Sequence, residues 1–406
     1  MTRLMTLALE GRPQDWDPVV HGLRDALVTH ARQTTPYWAA VAPRGIPFEE
    51  IPPLTKTIVR ERWDDLHARG VPEERRVPGV TSGSSGQPSH FVVDNHSYGA
   101  HLAGLNALRI HCGIPLDSFT SFMIVSDQPK NPLPEGWTHF SIYDLNRESV
   151  AAVVRAWSAL GRYWIYAMPT GLSRVIDFME RLGVRPDPGP LAVVTSAETL
   201  APGAARRIRD TFGCPVHSWY GSREIAGYLA TTVDGGPGYA FNPLLSHLEV
   251  VDDDGRAVAP GEVGRILVTD LHNRAFPMIR YDTQDLGRAS QERVGAWPTI
   301  GALDGRAADL LEVPGAAPLT LASLSHHLFG IADHAHWVHR YQFVQPAPDR
   351  LDIHVVWREV PDESTQREIL SALDPFLGGR ISTRLVAVDE VGTHPSGKAW
   401  LLRREF

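Results

Sequence analysis

Cysteine is scarce: the 406 residues include two, Cys112 and Cys214. Far apart in sequence, they build no disulfide framework. They suggest a reducing compartment, with both thiols buried rather than reactive. Long apolar runs are missing too; no stretch approaches the roughly 20 residues that cross a bilayer. Residues 1–10 are too short, and too soon interrupted by charge, for a secretory signal. The expectation from these absences is a cytoplasmic protein. Basic charge is not in excess either, since 39 Lys and Arg face 47 Asp and Glu for a net −8. A nucleic-acid footprint would show clustered Lys and Arg, so neither nucleic acid nor membrane is an expected partner. Internal repeats and low-complexity tracts are absent.

What is present reads as an ordinary globular chain, 43% hydrophobic and 21% charged, long enough for two domains with their own cores. Apolar residues at three- and four-residue spacing mark helices over residues 18–32 (Val19, Val20, Leu23, Leu27, Val28), 98–110 and 170–182. Asp17 and Pro18 suit the start of the first, and Gly183 the stop of the last. Apolar runs at residues 91–93, 119–125, 191–195 and 215–219 read as strands, and a further helix ends near Gly213. Strand, helix, strand in this order is the pattern of parallel α/β units. From Leu248 the texture changes. Residues 247–251 and 265–269, with a turn at Asp254-Gly255, read as antiparallel strands. Beyond residue 310, strands near 340–343 and 351–357 and a helix over 364–373 fit a small domain of about 100 residues. The Pro-rich stretch 129–134 reads as a loop. The expected fold is α/β. Residues 1–303 form a large N-terminal domain of α/β units with a β-rich subdomain, residues 304–310 a hinge, and residues 311–406 a small mobile α+β domain.

The most telling local feature is Thr81-Ser82-Gly83-Ser84-Ser85-Gly86-Gln87-Pro88. Glycine lets the backbone turn through φ > 0 and approach a ligand, and successive N–H groups beside hydroxyls form an anion-binding concavity. The spacing is not that of a Walker A loop. Alone, the run reads equally as a flexible linker or a phosphate cradle. Four segments follow it: Tyr220-Gly221-Ser222-Arg223-Glu224, Arg280-Tyr281-Asp282-Thr283-Gln284-Asp285-Leu286-Gly287, Gly305-Arg306 and Pro395-Ser396-Gly397-Lys398. In this order they resemble the adenylate-forming superfamily of acyl-CoA synthetases and adenylation domains, specifically its phenylacetate–CoA ligase-like branch. Ile51-Pro52-Pro53-Leu54-Thr55-Lys56 and the run from Gly264 through Leu271 to Tyr281 point to that branch. The resemblance covers residues 51–398.

The resemblance implies an AMP-forming ligase using ATP and Mg²⁺, with coenzyme A as co-substrate. Joining a carboxylate to the α-phosphorus brings two anions together, a task for cations, donors and positioning. By resemblance, Thr81, Ser82, Gly83, Ser84, Ser85 and Gly86 hold the β- and γ-phosphates. Ala197 and Glu198 line the adenine pocket at a strand end, Tyr220 (followed by Gly221 and Ser222) stacks on adenine, and Asp285 accepts from the ribose hydroxyls. Arg306 contacts the nucleotide beside the hinge. Glu224 is the implied Mg²⁺ ligand and a catalytic residue, since a hard cation prefers carboxylate oxygen. Lys398 is the second catalytic residue, a cation carried to the α-phosphate by a moving domain. Two positions depart from the pattern: Gln87 stands where the family often has lysine, and Gln284 where it commonly has glycine. Plainer roles also exist. Tyr220-Gly221 suits a strand-end turn, Asp270 and Asp282 suit structural caps, Arg306 a solvated surface, and Lys398 an exposed terminal lysine. His326, His327, His334, His336 and His339 read as surface and packing residues, with no cysteine near and no clean metal spacing.

The leading function is adenylation of a small aromatic or short acyl acid and acyl transfer to coenzyme A. An alternative keeps the adenylation and changes the acceptor to an amine, a carrier-protein thiol, or an arylamine diazotised with adenylated nitrite. A third is a non-catalytic nucleotide-binding regulator, against which Glu224, Asp285 and Lys398 speak. The acid pocket is expected between Leu105 and Trp137 on one side and residues 192–227 on the other. Monomer and homodimer both stay open.

Overall fold

The computed structural model describes residues 1–81, 89–124, 137–141, 145–198, 200, 202–225, 227–233, 236, 238–306, 310–315, 319–321, 324, 328, 337–392 and 402–406. Contacts divide the chain into two compact units, Met1–Asp117 with His217–Leu303 and Ser118–Val216 with Asp304–Phe406.

The first unit is built on an antiparallel sheet. Ser246–Val251 pairs with Val263–Asp270, which pairs in turn with Tyr281–Val294, as the run of strand-like segments after Leu248 predicts. Trp297–Arg306 (as far as Leu303 in this unit), Tyr239–Phe241, Gly227–Thr232 and Val216–Ser222 (from His217 in this unit) continue it in that order. The helix Asn95–His111 packs on the Gly227–Thr232 strand. It starts three residues before the apolar spacing does, because Asp94 caps it, accepting from Ser97 N at 2.7 Å. Against it lies Thr2–Glu10, a helix the sequence reading does not assign. Met5 and Ala8 are fully buried there, and Trp297 Nε1 and Ala296 N donate to the carbonyls of Met5 and Ala8. The next helix runs Pro13–Thr34 and not from Pro18: Pro13 takes the first-turn position and Pro18 lies inside. Pro18 lacks only the N–H that would reach the Gln14 carbonyl, and the buried face of Val20, Leu27, Val28 and Ala31 carries the helix past it. Val19, expected on that face, points outward.

The second unit holds the parallel α/β pattern. Val193–Thr195, Tyr163–Ala167, Phe119–Ile124 and Trp137–Ser141 lie side by side and parallel. Helices Arg147–Leu160, Pro169–Leu182 and Pro202–Phe212 accompany them. An Asn146–Ser149 capping box starts the first, and Gly183 in the left-handed region stops the second. Trp157, Tyr163, Ile165, Val175, Ile176 and Val193 form the core, each large apolar side chain contributing about 1.5–3 kcal/mol. The same unit contains a four-stranded sheet in the order Ser382–Ala387, Arg350–Trp357, Val338–Ala347, Leu402–Arg404. Phe343 faces Ile353 in register, and Ile369 and Leu373 of the adjoining helical segment complete that core. The whole is the mixed α/β fold that the sequence predicts. Both cysteines are free and buried, and no described helix is long and apolar enough to cross a membrane.

Candidate functional site

A two-stranded ribbon, Arg76–Thr81 with Ser89–Asp94, brackets the hydroxyl-rich loop, its last pair being Thr81 opposite Ser89. Val92 and Val93 are buried at its root. Ser82, Gly83, Ser84, Ser85 and Gly86 lie outside the described residues, as does Lys398.

Tyr220 and Asp285 come together in the first unit. The Tyr220 hydroxyl donates to Asp285 Oδ2 at 2.7 Å, and its buried ring lies 5.7 Å from that of Phe241. Gly221 stands where a Cβ would fall 2.4 Å from the Gly227 carbonyl oxygen, so no larger residue fits between these strands. Asp285 is oriented by a tight local network: Asp285 N donates to Thr283 Oγ1 at 3.1 Å, and Gln284 N to Asp282 Oδ1 at 2.8 Å. Gln284 has φ 64°, the left-handed conformation that glycine takes readily. The substitution therefore keeps a glycine-like backbone. Asp282 also accepts from Arg265 Nη1 at 2.7 Å and serves the strand pairing. Asp270 is fully buried, accepting from Ser97 Oγ at 3.1 Å and His272 N at 2.9 Å, with His101 Nε2 at 3.3 Å. Burial alone would raise its pKa, but His101 and His272 hold it below the usual carboxylate range. Both further carboxylates are structural.

Glu224 sits in the short turn Arg223–Ile225 and is 8% exposed. The turn packs on both ribbon strands and on Val263–Asp270. Ser222 Oγ donates to Glu224 Oε2 at 2.7 Å, and Lys56 Nζ lies 3.8 Å from Oε1. Lys56 opens the helix Lys56–Glu61 and is a neighbour of Glu224 to which sequence reasoning gives no role of its own. Mg²⁺ is commonly held by one or two carboxylates together with substrate phosphates, and Glu224 offers that kind of ligand. Among the described residues no group of three or more His, Cys, Asp or Glu could hold a metal by itself.

In the second unit, Ala197 follows the strand Val193–Thr195 with φ 70°, a conformation an alanine adopts only at a cost of about 1–2 kcal/mol. Ser196 N donates to the Ala167 carbonyl at 3.2 Å, and Glu198 is half-buried. Arg306 ends the strand Trp297–Arg306, and its side chain lies outside the described residues. So do His326, His327, His334 and His336; His339 contributes backbone to Val338–Ala347. A cavity of about 300 Å³ in this unit is lined by Asp177, Glu180, Arg181, Val356, Trp357 and Arg358, none of them a candidate residue. Arg207 holds both Asp177 and Glu180 at 2.7 Å.

No family model matches the chain. A phenylacetate-coenzyme A ligase of Pseudomonas putida is 29% identical over 164 residues, which is 37% of this chain and 35% of that protein. The match thus spans about a third of the relative's length. A solved 2-hydroxyisobutyryl-CoA ligase, in the postadenylation state with an adenylate bound, superposes with a TM-score of 0.78 at 18% identity, over 97% of this chain and 90% of that one. An amide bond synthetase from Marinactinospora thermotolerans superposes with a TM-score of 0.60 at 16% identity, over 82% and 69%. At these identities the likeness is one of fold. Motifs, sequence relatives and fold agree in one likeness: the chain resembles the adenylate-forming enzymes, and among them the phenylacetate–CoA ligases.

Proposed function

We propose that this protein adenylates a small carboxylic acid with ATP, releases pyrophosphate, and passes the acyl group to coenzyme A. The observation that carries the reading is the meeting, in one unit, of the Tyr220–Asp285 hydrogen bond, the buried Glu224 and the root of the hydroxyl-rich loop. In the first step a carboxylate oxygen attacks the α-phosphorus. The bond from that phosphorus to the bridging oxygen breaks, and pyrophosphate leaves with the electron pair. Asp285, oriented by Tyr220 and its own turn, accepts from the ribose hydroxyls, and Tyr220 offers its ring to adenine. Ala197 and Glu198 line the adenine pocket, and Arg306 contacts the nucleotide. Thr81 and the loop that follows cradle the β- and γ-phosphates. Glu224, steadied by Ser222, would hold Mg²⁺, which when bound would neutralise phosphate charge. Lys398 supplies a cation for the first step from a C-terminal domain that begins after a hinge at residues 304–310.

Coenzyme A is the acceptor favoured by the relatives, which are CoA ligases by name. An amine is the second reading, supported by the amide bond synthetase of the same fold. The test is a screen of aryl and short acyl acids for ATP-dependent pyrophosphate release, with and without coenzyme A. Release that requires an acid, with turnover raised by coenzyme A, is the expected result. Acid-dependent release raised by an amine and not by the thiol would move the assignment to the second reading. Release independent of any acid would overturn both.

A further inference from the structure

We propose that Lys56 is the cation that grips the pyrophosphate end of ATP, a role that rests on the adenylation reading above. Composition gives the first argument. The chain has three lysines among its 39 basic residues, Lys56, Lys130 and Lys398, so arginine is its default cation. An ordinary ion pair with Glu224 would be served as well or better by arginine, whose fork matches a carboxylate. A lysine at this position calls for a compact ammonium with three rotatable donors.

Geometry gives the second. Lys56 is placed by elements that each lead to a nucleotide-binding candidate. Leu54, two residues earlier, is stitched to the start of the Asp285 strand: Leu54 N donates to the Arg280 carbonyl at 3.0 Å, and Asp282 N to the Leu54 carbonyl at 2.9 Å. Arg280 anchors the incoming segment, donating to the carbonyls of Glu49 and Ile51. Thr55 caps the helix by accepting from Ile58 N at 3.2 Å, which fixes Lys56 at its first position. That helix packs on Ser89–Asp94, the strand leaving the hydroxyl-rich loop. The lysine side chain is 16% exposed, and its Nζ lies 3.8 Å from Glu224 Oε1, beyond hydrogen-bond length. The ammonium therefore neutralises the carboxylate through space, without a hydrogen bond to it. When ATP arrives, Lys56 donates to the β- and γ-phosphate oxygens and stabilises the charge that builds there as the bond to the α-phosphorus breaks. Gln87, in the loop itself, carries no charge to do this.

Calorimetric titration of ATP, inorganic pyrophosphate and AMP, with Mg²⁺ present, tests the assignment on the wild-type protein and on Lys56→Met and Lys56→Arg. Loss of a charge-assisted contact should weaken ATP and pyrophosphate binding about 10- to 100-fold, while AMP, lacking the distal phosphates, binds within about twofold of wild type. Lys56→Arg keeps the pairing with Glu224 and the melting temperature, and carries the test if Lys56→Met fails to fold. It should regain little of the pyrophosphate affinity. Unchanged affinities, an equal loss for AMP, or full recovery with arginine would each overturn the role. A wild-type protein that binds neither ATP nor pyrophosphate would overturn the adenylation reading together with it.

Discussion

Asp285 receives the Tyr220 hydroxyl on one carboxylate oxygen and is turned by its own backbone N–H into the Thr283 side chain. Its proposed role at the ribose is testable alone. Asp285→Ala should weaken ATP binding by about 1–3 kcal/mol, the order of hydrogen bonds to a charged group; unchanged affinity by calorimetry would remove Asp285 from the ribose site. His247 bears on stability. Burial, with Arg24, His21 and Arg280 close by, lowers its pKa to about 3, against a weaker opposing pull from Asp25. The unfolded chain titrates near 6.5 at this residue, so it binds the extra proton between about pH 6.5 and 3. Stability must therefore fall as pH drops through that window, by about 2 kcal/mol between pH 7 and 5. Urea midpoints at the two pH values should show His247→Phe losing about that much less. At this scale short motifs mark Tyr220, Glu224 and Asp285 in the sequence as candidates, and the fold brings Tyr220 and Asp285 together. Lys56 is marked there only as the end of a branch motif; its place beside Glu224, far away in the chain, is visible in the fold alone. The glycine-like backbone of Gln284 is equally hidden, since it depends on a turn closed by Asp282 and Thr283.

Among the elements, Asp94 does two jobs. One oxygen caps the Asn95–His111 helix, and the other accepts from Arg274 N at 2.8 Å and Ala275 N at 3.2 Å. Asp94→Ala should cost about 2–4 kcal/mol, more than the roughly 1 kcal/mol of an ordinary N-cap. A shift in the urea midpoint no larger than that of a simple cap would show the Arg274–Ala275 contacts to be dispensable. Elements with clear period and punctuation are legible: Pro169–Leu182 has its apolar stripe and stop glycine, and the Leu248 and Val268 runs pair as read. Trp137–Ser141 is too short and mixed for a period to register. Thr2–Glu10 lacks a capping side chain and is held by packing on the Asn95–His111 helix and by its bonds to Ala296 and Trp297, none of which is local in sequence.

For the molecule as a whole, the proposed function is that of a two-step ligase. On the proposed reading Lys398 acts in the first step, so Lys398→Ala should slow adenylate formation by about 10²- to 10³-fold, by analogy with the loss of an oxyanion donor. The variant should still consume a synthetic acyl-adenylate when given the acceptor; equal loss in both steps would contradict a role confined to one. The most direct test of the central claim follows oxygen. An acid that supports pyrophosphate release, labelled with ¹⁸O in its carboxylate, is incubated with ATP, Mg²⁺ and coenzyme A, and the nucleotide product is weighed by mass spectrometry. Attack of that carboxylate on the α-phosphorus predicts one ¹⁸O in the AMP released with the acyl product. Unlabelled AMP, or ADP with inorganic phosphate, would contradict the formation of an acyl-adenylate.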